Sequence, residues 1–420
     1  MAVVILPSEN QQREFDAKLL VACALAERGV TTYVGARHEI HARLHQLPRG
    51  VYAAKDFAPQ SGRVFEILDR LGSRITAWDE EGLLAFDPEV YYRRRVSPRT
   101  LPRVAAFFAW GEINRALIER APGFPGTPVH VTGNARIDLL RPELQPFHEP
   151  AVAELRERYG SFVLFNANFG VVNSLARIPV NDPRKAVQQH PDVLRFFDQR
   201  REAFAAFQRA IPILARRFPD VRIVVRPHPS ESPEPWQRLA APCPNVDVVL
   251  EGPVIPWLLA ARVTLHNSCT TGLESFLMGK PAIALMTPGT TTTGSGLSNA
   301  VSVQVEGVDA LGDAIASRLT TEAPFDRTAA QLELVERHVA ATTGPLAADR
   351  IADVLAPLAR AVAGAEPPAW GARIGGTTAS VWRRLQKRVT GLIPGHKTGS
   401  AHNRHRYPGL TAGEVDTRIA

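Results

Sequence analysis

Short, β-branched apolar runs recur along the chain, and a helical stretch separates each run from the next. In the first 140 residues the runs are Val3 to Pro7, Val30 to Val34, Gly50 to Ala54 and Ile75 to Trp78. Helices are expected over 17–28, after a polar stretch at 8–16, and around 64–71. Strands joined by helical crossovers lie parallel, and a parallel sheet needs helices on both faces. The pattern restarts after Pro142, Pro146 and Pro150, which punctuate a linker. A helix is expected over 151–159, with strands at 162–165, 221–225, 246–250, 261–266 and 281–285. A long amphipathic helix is expected over about 191–217, and a shorter one over 271–278. The expected class is α/β, with two Rossmann-like doubly wound domains facing a central cleft. Residues 1–145 form the first domain and 146–364 the second. Residues 365–420 form a basic tail with one amphipathic helix near 381–393. In open sheets of this kind ligands lie beyond the carboxyl ends of the strands.

Charge and cysteine usage narrow the class. From Glu366 onward there are nine Lys/Arg against three acids, so nearly all of the net +7 sits in the tail. A near-neutral core argues against a broad nucleic-acid-binding surface. Cys23, Cys243 and Cys269 are odd in number and far apart, which fits a reducing cytoplasm and no disulfide framework. The longest apolar stretch, Leu19 to Ala26, falls short of a membrane span, and Met1 to Pro7 reads as a strand and not as a signal peptide.

Three polar clusters follow strands. Asp79-Glu80-Glu81-Gly82 offers a carboxylate for general-base work on a hydroxyl, with glycine expected to let the loop turn tightly; its bland reading is a solvated acidic turn. Arg226-Pro-His-Pro-Ser-Glu231 holds His228 between two prolines beside a permanent charge suited to phosphate; its bland reading is a rigid turn. His266-Asn-Ser-Cys-Thr-Thr-Gly-Leu-Glu-Ser275 reads as a strand, a hydroxyl-rich turn and a helix start. Free N–H groups there, with Ser268, Thr270 and Thr271, suit a nucleotide phosphate, and Glu274 one turn on suits a ribose diol. N-capping explains one such hydroxyl and hardly three. His190-Pro191 reads as structural, and Thr287 to Gly296 as a loop that either closes over a ligand or merely connects. No Walker motif, Gly-x-Gly-x-x-Gly or metal-ligand spacing is present.

In this order the clusters resemble glycosyltransferases of the GT-B type. Glu80-Glu81-Gly82, His228-Pro229 and the hydroxyl run at 268–271 are similar to motifs of bacterial sialyltransferases and Kdo transferases, which use CMP-activated sugars. The segments Pro7 to Asp16, Val131 to Asp138, Phe165 to Phe169 and Tyr407 to Leu410 resemble bacterial capsule or O-antigen biosynthesis proteins. The resemblance implies Glu81 as catalytic base and His228 at the leaving phosphate. It implies Ser268 with Thr270 or Thr271 as phosphate-binding hydroxyls; Arg226, Pro229 and Glu274 stand beside them as candidate nucleotide- or phosphate-binding residues. Glu9, Arg13, Glu80 and Asn168 stand as candidate acceptor or cleft residues. Two departures are Glu in place of the usual Asp at the base position, and Cys269 interrupting the hydroxyl pair. The expected activity is inverting, metal-independent transfer of an ulosonic acid such as Kdo or a sialic-acid-like sugar. It would pass from a CMP-linked co-substrate to a glycan or lipid-linked glycan acceptor, with no other cofactor. A CDP-polyol phosphotransferase and a non-catalytic nucleotide-sugar-binding scaffold are the alternatives. The expected location is the cytoplasm. The tail helix would dock either on the inner face of the membrane or on the first domain.

Overall fold

The computed structural model describes residues 1–83, 88–174, 192–287, 296–321, 325–393, 399, 403–404 and 406–420. His190, Pro191 and the loop residues 288–295 lie outside the described residues. The chain divides into two compact units. Unit 1 comprises Met1–Leu139 and Val335–Ala420; unit 2 comprises Leu140–Leu334.

Unit 1 contains strands β1 (Val3–Ser8), β2 (Thr31–Ala36), β3 (Val51–Ala54), β4 (Arg74–Trp78), β5 (Val104–Ala109) and β6 (Val129–Val131). They pair in parallel in the order β2-β1-β3-β4-β5-β6. Unit 2 contains β7 (Phe162–Asn166), β8 (Arg222–Arg226), β9 (Val246–Val248), β10 (Val263–His266), β11 (Ala282–Met286) and β12 (Val303–Glu306). Their order is β12-β11-β10-β7-β8-β9, again parallel. Each order reverses once, between β1 and β3 and between β7 and β10. At such a reversal the crossovers leave to opposite faces and open a crevice at the strands' carboxyl ends. The residues after β1, β3, β7 and β10 therefore occupy the two positions this topology makes available to ligands. Each sheet is buried against helices through its own aromatic and aliphatic core, with Phe57, Phe65 and Phe107 in unit 1 and Phe165, Phe207 and Trp236 in unit 2.

The domain boundaries differ from the expectation, because the chain's last fifth does not stay with unit 2. Helix Ala347–Gly364 packs on β1 and on helix α1 (Gln11–Glu27). The buried Asp138 carboxylate accepts the N–H groups of Ala347 and Ala348 at 2.9 and 2.8 Å, satisfying free donors at that helix's start. Arg28 then pairs with Asp353 at 2.8 Å and with Asp349 at 3.3 Å. The tail is also more ordered than expected. Its helix runs from Trp370 to Gly391 and lies on helices α2 (Arg37–Ala42) and α3 (Gly62–Arg70). The final helix, Ala412–Ile419, returns to α1, where Arg418 pairs with Asp16. Just before it, Gly409 exchanges hydrogen bonds with Gln11, and Tyr407 stands edge-on to Phe15.

Candidate functional site

In unit 1 the acidic cluster follows β4. Helix α1 begins at Gln11, six residues earlier than expected, and so carries Arg13, Glu14 and Lys18 toward that cluster. The Arg13 guanidinium meets the Glu81 carboxylate at 2.8 Å. Lys18 pairs with Glu80 and also sits 3.7 Å above the Trp78 ring, whose indole N–H donates to the same Glu80 oxygen at 2.6 Å. The N–H of Gly82 donates to the Asp79 carbonyl at 2.9 Å, closing a turn. Gly82 does not serve the turn as expected, since its φ is not in the left-handed region; a Cβ there would lie 2.7 Å from the Trp110 ring. Trp110 in turn donates to the Asp79 carbonyl at 2.6 Å. Glycine is thus required by the indole that braces the loop.

The cluster's charges are set by burial and by which cation each acid faces. Burial opposes ionisation of Glu81, yet the charge and hydrogen bond of Arg13, with Arg136 and Lys55, outweigh it and hold the carboxyl down at about 2. Glu80 is buried likewise, and Lys18 and Arg136 hold it at about 2. Burial pushes Asp79 up to about 6 against the nearby Arg95. Burial and the Glu80 charge push Glu14 up to about 7. Glu14 accepts the Glu9 N–H at 2.7 Å, and Glu9 itself, after β1, pairs with Lys55, with Arg37 at 3.6 Å and with Arg406 at 2.7 Å. Of Glu14, Asp79, Glu80 and Glu81, only Glu81 is appreciably open to solvent, with 24% of its side chain exposed.

Unit 2 places its candidates after β7, β8 and β10. The two terminal nitrogens of Arg226 donate to the carbonyls of Glu251 and Gly252, both at 2.9 Å, and the guanidinium lies 4.9 Å from the Trp257 ring. Through these contacts the arginine clamps β8 to the loop after β9. Burial pushes its pKa down to about 9. His228 is half-buried. The Ser230 N–H at 3.2 Å and the Ser230 hydroxyl at 2.7 Å both meet His228 Nδ1, an arrangement that suits the tautomer with its proton on Nε2. Pro229 lies exposed in the turn and brings no donor of its own. The turn is held by Glu231, whose role no local sequence signal marks. Its buried carboxylate accepts from Phe169 N–H at 2.7 Å, His228 N–H at 3.1 Å, Trp236 Nε1 at 3.1 Å and Asn173 Nδ2 at 3.3 Å. Asn168, one residue before Phe169, is half-buried, and its carbonyl accepts from Arg200.

After β10 the chain turns through Ser268, whose φ of 55° is unusual for a residue with a Cβ. The Ser268 hydroxyl accepts from Asn299 at 2.8 Å, and the Thr271 hydroxyl accepts from Asn166, at the end of β7, at 3.0 Å. Thr270 is half-buried at the start of helix Thr271–Leu277, and Glu274 lies buried in that helix's first turn. His266 is structural. Cys269 N–H donates to its Nδ1, its Nε2 faces Ser302, and burial pushes it down to about 4. A side chain at Gly272 would strike its ring. Asn267 is the conspicuous member of this turn, because both polar atoms of its buried amide lack a partner. Its neighbours in sequence could not show this, since a lone Asn in a turn is ordinary.

Among the described residues, no group of three or more His, Cys, Asp or Glu side chains is placed to hold a metal ion, and no helix is long and apolar enough to cross a membrane. A cavity of about 460 Å³, lined in part by Arg156, Arg262, Lys280 and Arg318, opens at the opposite, amino-terminal edge of the second sheet.

No protein-family model matches the chain, and no curated protein matches it in sequence. Solved structures match its fold. The UDP-GlcNAc 2-epimerase of Methanocaldococcus jannaschii in complex with UDP-GlcNAc and UDP aligns with a TM-score of 0.52 and 12% identity, over 84% of this chain and 98% of that one. A second structure of that enzyme aligns at 0.52 with 13% identity over the same shares. A further UDP-N-acetylglucosamine 2-epimerase aligns at 0.51 with 12% identity, over 88% and 98%. The chain is an α/β protein with two six-stranded parallel sheets and a GT-B-like two-domain fold.

Proposed function

We propose that the chain is an inverting, metal-independent glycosyltransferase using a nucleotide-activated sugar. Its donor is a CMP-linked ulosonic acid, and its acceptor is a hydroxyl of a surface polysaccharide or lipid-linked glycan. The reading assigns the acceptor to unit 1 and the donor to unit 2. The acceptor oxygen attacks the anomeric carbon while the bond from that carbon to the phosphate oxygen breaks. The electron pair leaves with the phosphate, and the hydroxyl proton passes to Glu81. The Nε2–H of His228 donates to the departing phosphate, while Ser268, Thr270, Thr271 and the amide of Asn267 hold the nucleotide.

The observation that carries this reading is the Arg13–Glu81 pair, the solvent-reachable member of an otherwise buried carboxylate cluster. Paired with Arg13, Glu81 is a weak base. An acceptor hydroxyl inserted between the two loosens that pairing and raises its basicity toward the range that general bases need. Support for the nucleotide comes from the His228-Pro229 and hydroxyl motifs, and from the likeness to an enzyme crystallised with UDP-GlcNAc and UDP. Thermal melts with CMP, CDP, UDP and GDP test the donor. A bound nucleotide at 100 times its Kd adds about 2.7 kcal/mol of stability. Glu81→Gln is expected to abolish transfer, in the presence or absence of EDTA, and to keep that thermal shift. Stabilisation by UDP or GDP but not by CMP or CDP would sink the donor assignment. Full transfer by the Gln variant would sink Glu81 as the base.

A further inference from the structure

The helix Trp370–Gly391 is fastened to unit 1 by one face only. Gly376 packs against Leu71, the Ser380 hydroxyl meets His45 Nδ1 at 3.0 Å, and Arg383 donates to the His41 carbonyl at 3.2 Å. These positions recur at steps of four and three, as one face of a helix requires. The other side is apolar and open. Trp370, Ile374, Val381, Leu385 and Leu392 follow one another at alternating steps of four and seven, which keeps them in one stripe. Trp382 and Val389 widen it. Trp370 is 78% exposed, Trp382 58% and Leu392 82%. Eight of the eighteen exposed large apolar side chains among the described residues fall between 370 and 393. An apolar patch this concentrated marks an interaction surface.

Charge identifies what the patch meets. From 370 to 393 the chain has five basic residues and not one Asp or Glu. Arg373, Arg384 and Arg388 fall along one border of the stripe by the same helical spacing. A second copy of the helix laid against the stripe would bring like charges together. An anionic bilayer surface neutralises them while its acyl boundary takes up the Trp and Leu side chains. We propose that this helix, lying flat, docks the folded protein on an anionic membrane surface through the face turned away from α2 and α3. The inference rests on exposure and charge alone and stands apart from the catalytic reading.

The test is co-sedimentation of the full chain, at low salt, with vesicles of phosphatidylcholine alone and of phosphatidylcholine mixed with phosphatidylglycerol. Binding is expected to the mixed vesicles and to fall in high salt. The double variant Leu385→Ser, Leu392→Ser changes only exposed side chains. It should melt at the wild-type temperature and stay in the supernatant. Each basic residue near such a surface is worth roughly a fivefold gain in partitioning. Arg384→Ala with Arg388→Ala should therefore weaken binding by roughly thirtyfold. The proposal is overturned if the wild type ignores phosphatidylglycerol, or if the serine variant sediments as well as the wild type. It is equally overturned if, without vesicles, the stripe drives a concentration-dependent dimer that the serine variant loses.

Discussion

Glu231→Gln tests whether the His228 turn is held by an ionised carboxylate. The two oxygens of Glu231 serve four N–H donors: Oε1 takes the backbone N–H groups of Phe169 and His228, and Oε2 takes Trp236 and Asn173. Gln keeps one acceptor. The shorter bonds are on the Oε1 side, so the amide oxygen settles there and its NH₂ faces two donors. Asn173 cannot simply flip, because its Nδ2 also donates to the Ser232 carbonyl at 2.8 Å. The buried Trp236 indole N–H is then stranded, at a cost of about 1–3 kcal/mol. Weakened charge-assisted bonds add to that, and relief from burying a charge offsets part of it. A net loss of about 2 kcal/mol corresponds to a fall in Tm of roughly 4–8 °C for a unit of this size. A calorimetric melt at neutral pH reads the loss. Transfer kinetics should show a drop in kcat, because the residue that fixes the His228 backbone has slackened. The opposing force is burial, which pushes the Glu231 carboxyl up. A carboxyl held protonated would already be an isostere of Gln, so an unmoved Tm and unchanged kcat would refute the ionised hub.

Three further outcomes are expected. Asp79 has its folded pKa raised to about 6 by burial, so the fold favours its acid form. Its contribution is full below the unfolded value and is lost as pH rises through about 6, by roughly 3 kcal/mol in total. Asp79→Asn should flatten that part of the stability profile in denaturant titrations, while the loss on acidification through about 2, due to Glu80 and Glu81, stays. Asn267→Leu removes a stranded buried amide, so the free protein should melt at or above the wild-type temperature while nucleotide stabilisation shrinks; an undiminished ligand shift would remove Asn267 from the site. His228→Ala should lower kcat more than it raises acceptor KM, since a donor to the leaving phosphate acts chiefly in the transition state.

The parallel sheets were legible because buried strands between crossovers must be continuous apolar runs, and nine of the runs lie on strands. The unread strands differ in kind. The run Val104–Ala109 is half alanine, a residue with little β preference, Val129–Val131 is only three residues long, and Val303–Glu306 is an edge strand with alternate residues exposed. Strand order has no local signature, so the reversals beside Glu9 and Asn267 could not be read. Arg13 and Glu81 were both picked out, but their pairing depends on α1 starting at Gln11, where Asn10 supplies no side-chain cap to announce it. The carbonyl partners of Arg226 could not be read, because a permanent charge after a strand looks the same whether it faces a phosphate or two carbonyls. Glu231 carries no signal of its own in the sequence, because two of its four donors come from the distant segment 169–173.

The return of residues 335–420 to unit 1 has a consequence for how the chain is born. Residues 1–139 leave the ribosome before unit 2 is made, yet the helix that covers β1 and α1, and the arginines that meet Glu9 and Asp16, follow only after it. At roughly 5–20 residues per second, the intervening stretch of roughly 200 residues takes about 10–40 s to synthesise. Through that interval the contiguous unit 2 can complete its own sheet. The earlier segment, residues 1–139, waits with an uncovered apolar flank, a natural client for a holding chaperone. Loss of the segment after residue 334 would therefore damage a part of the protein translated well before it.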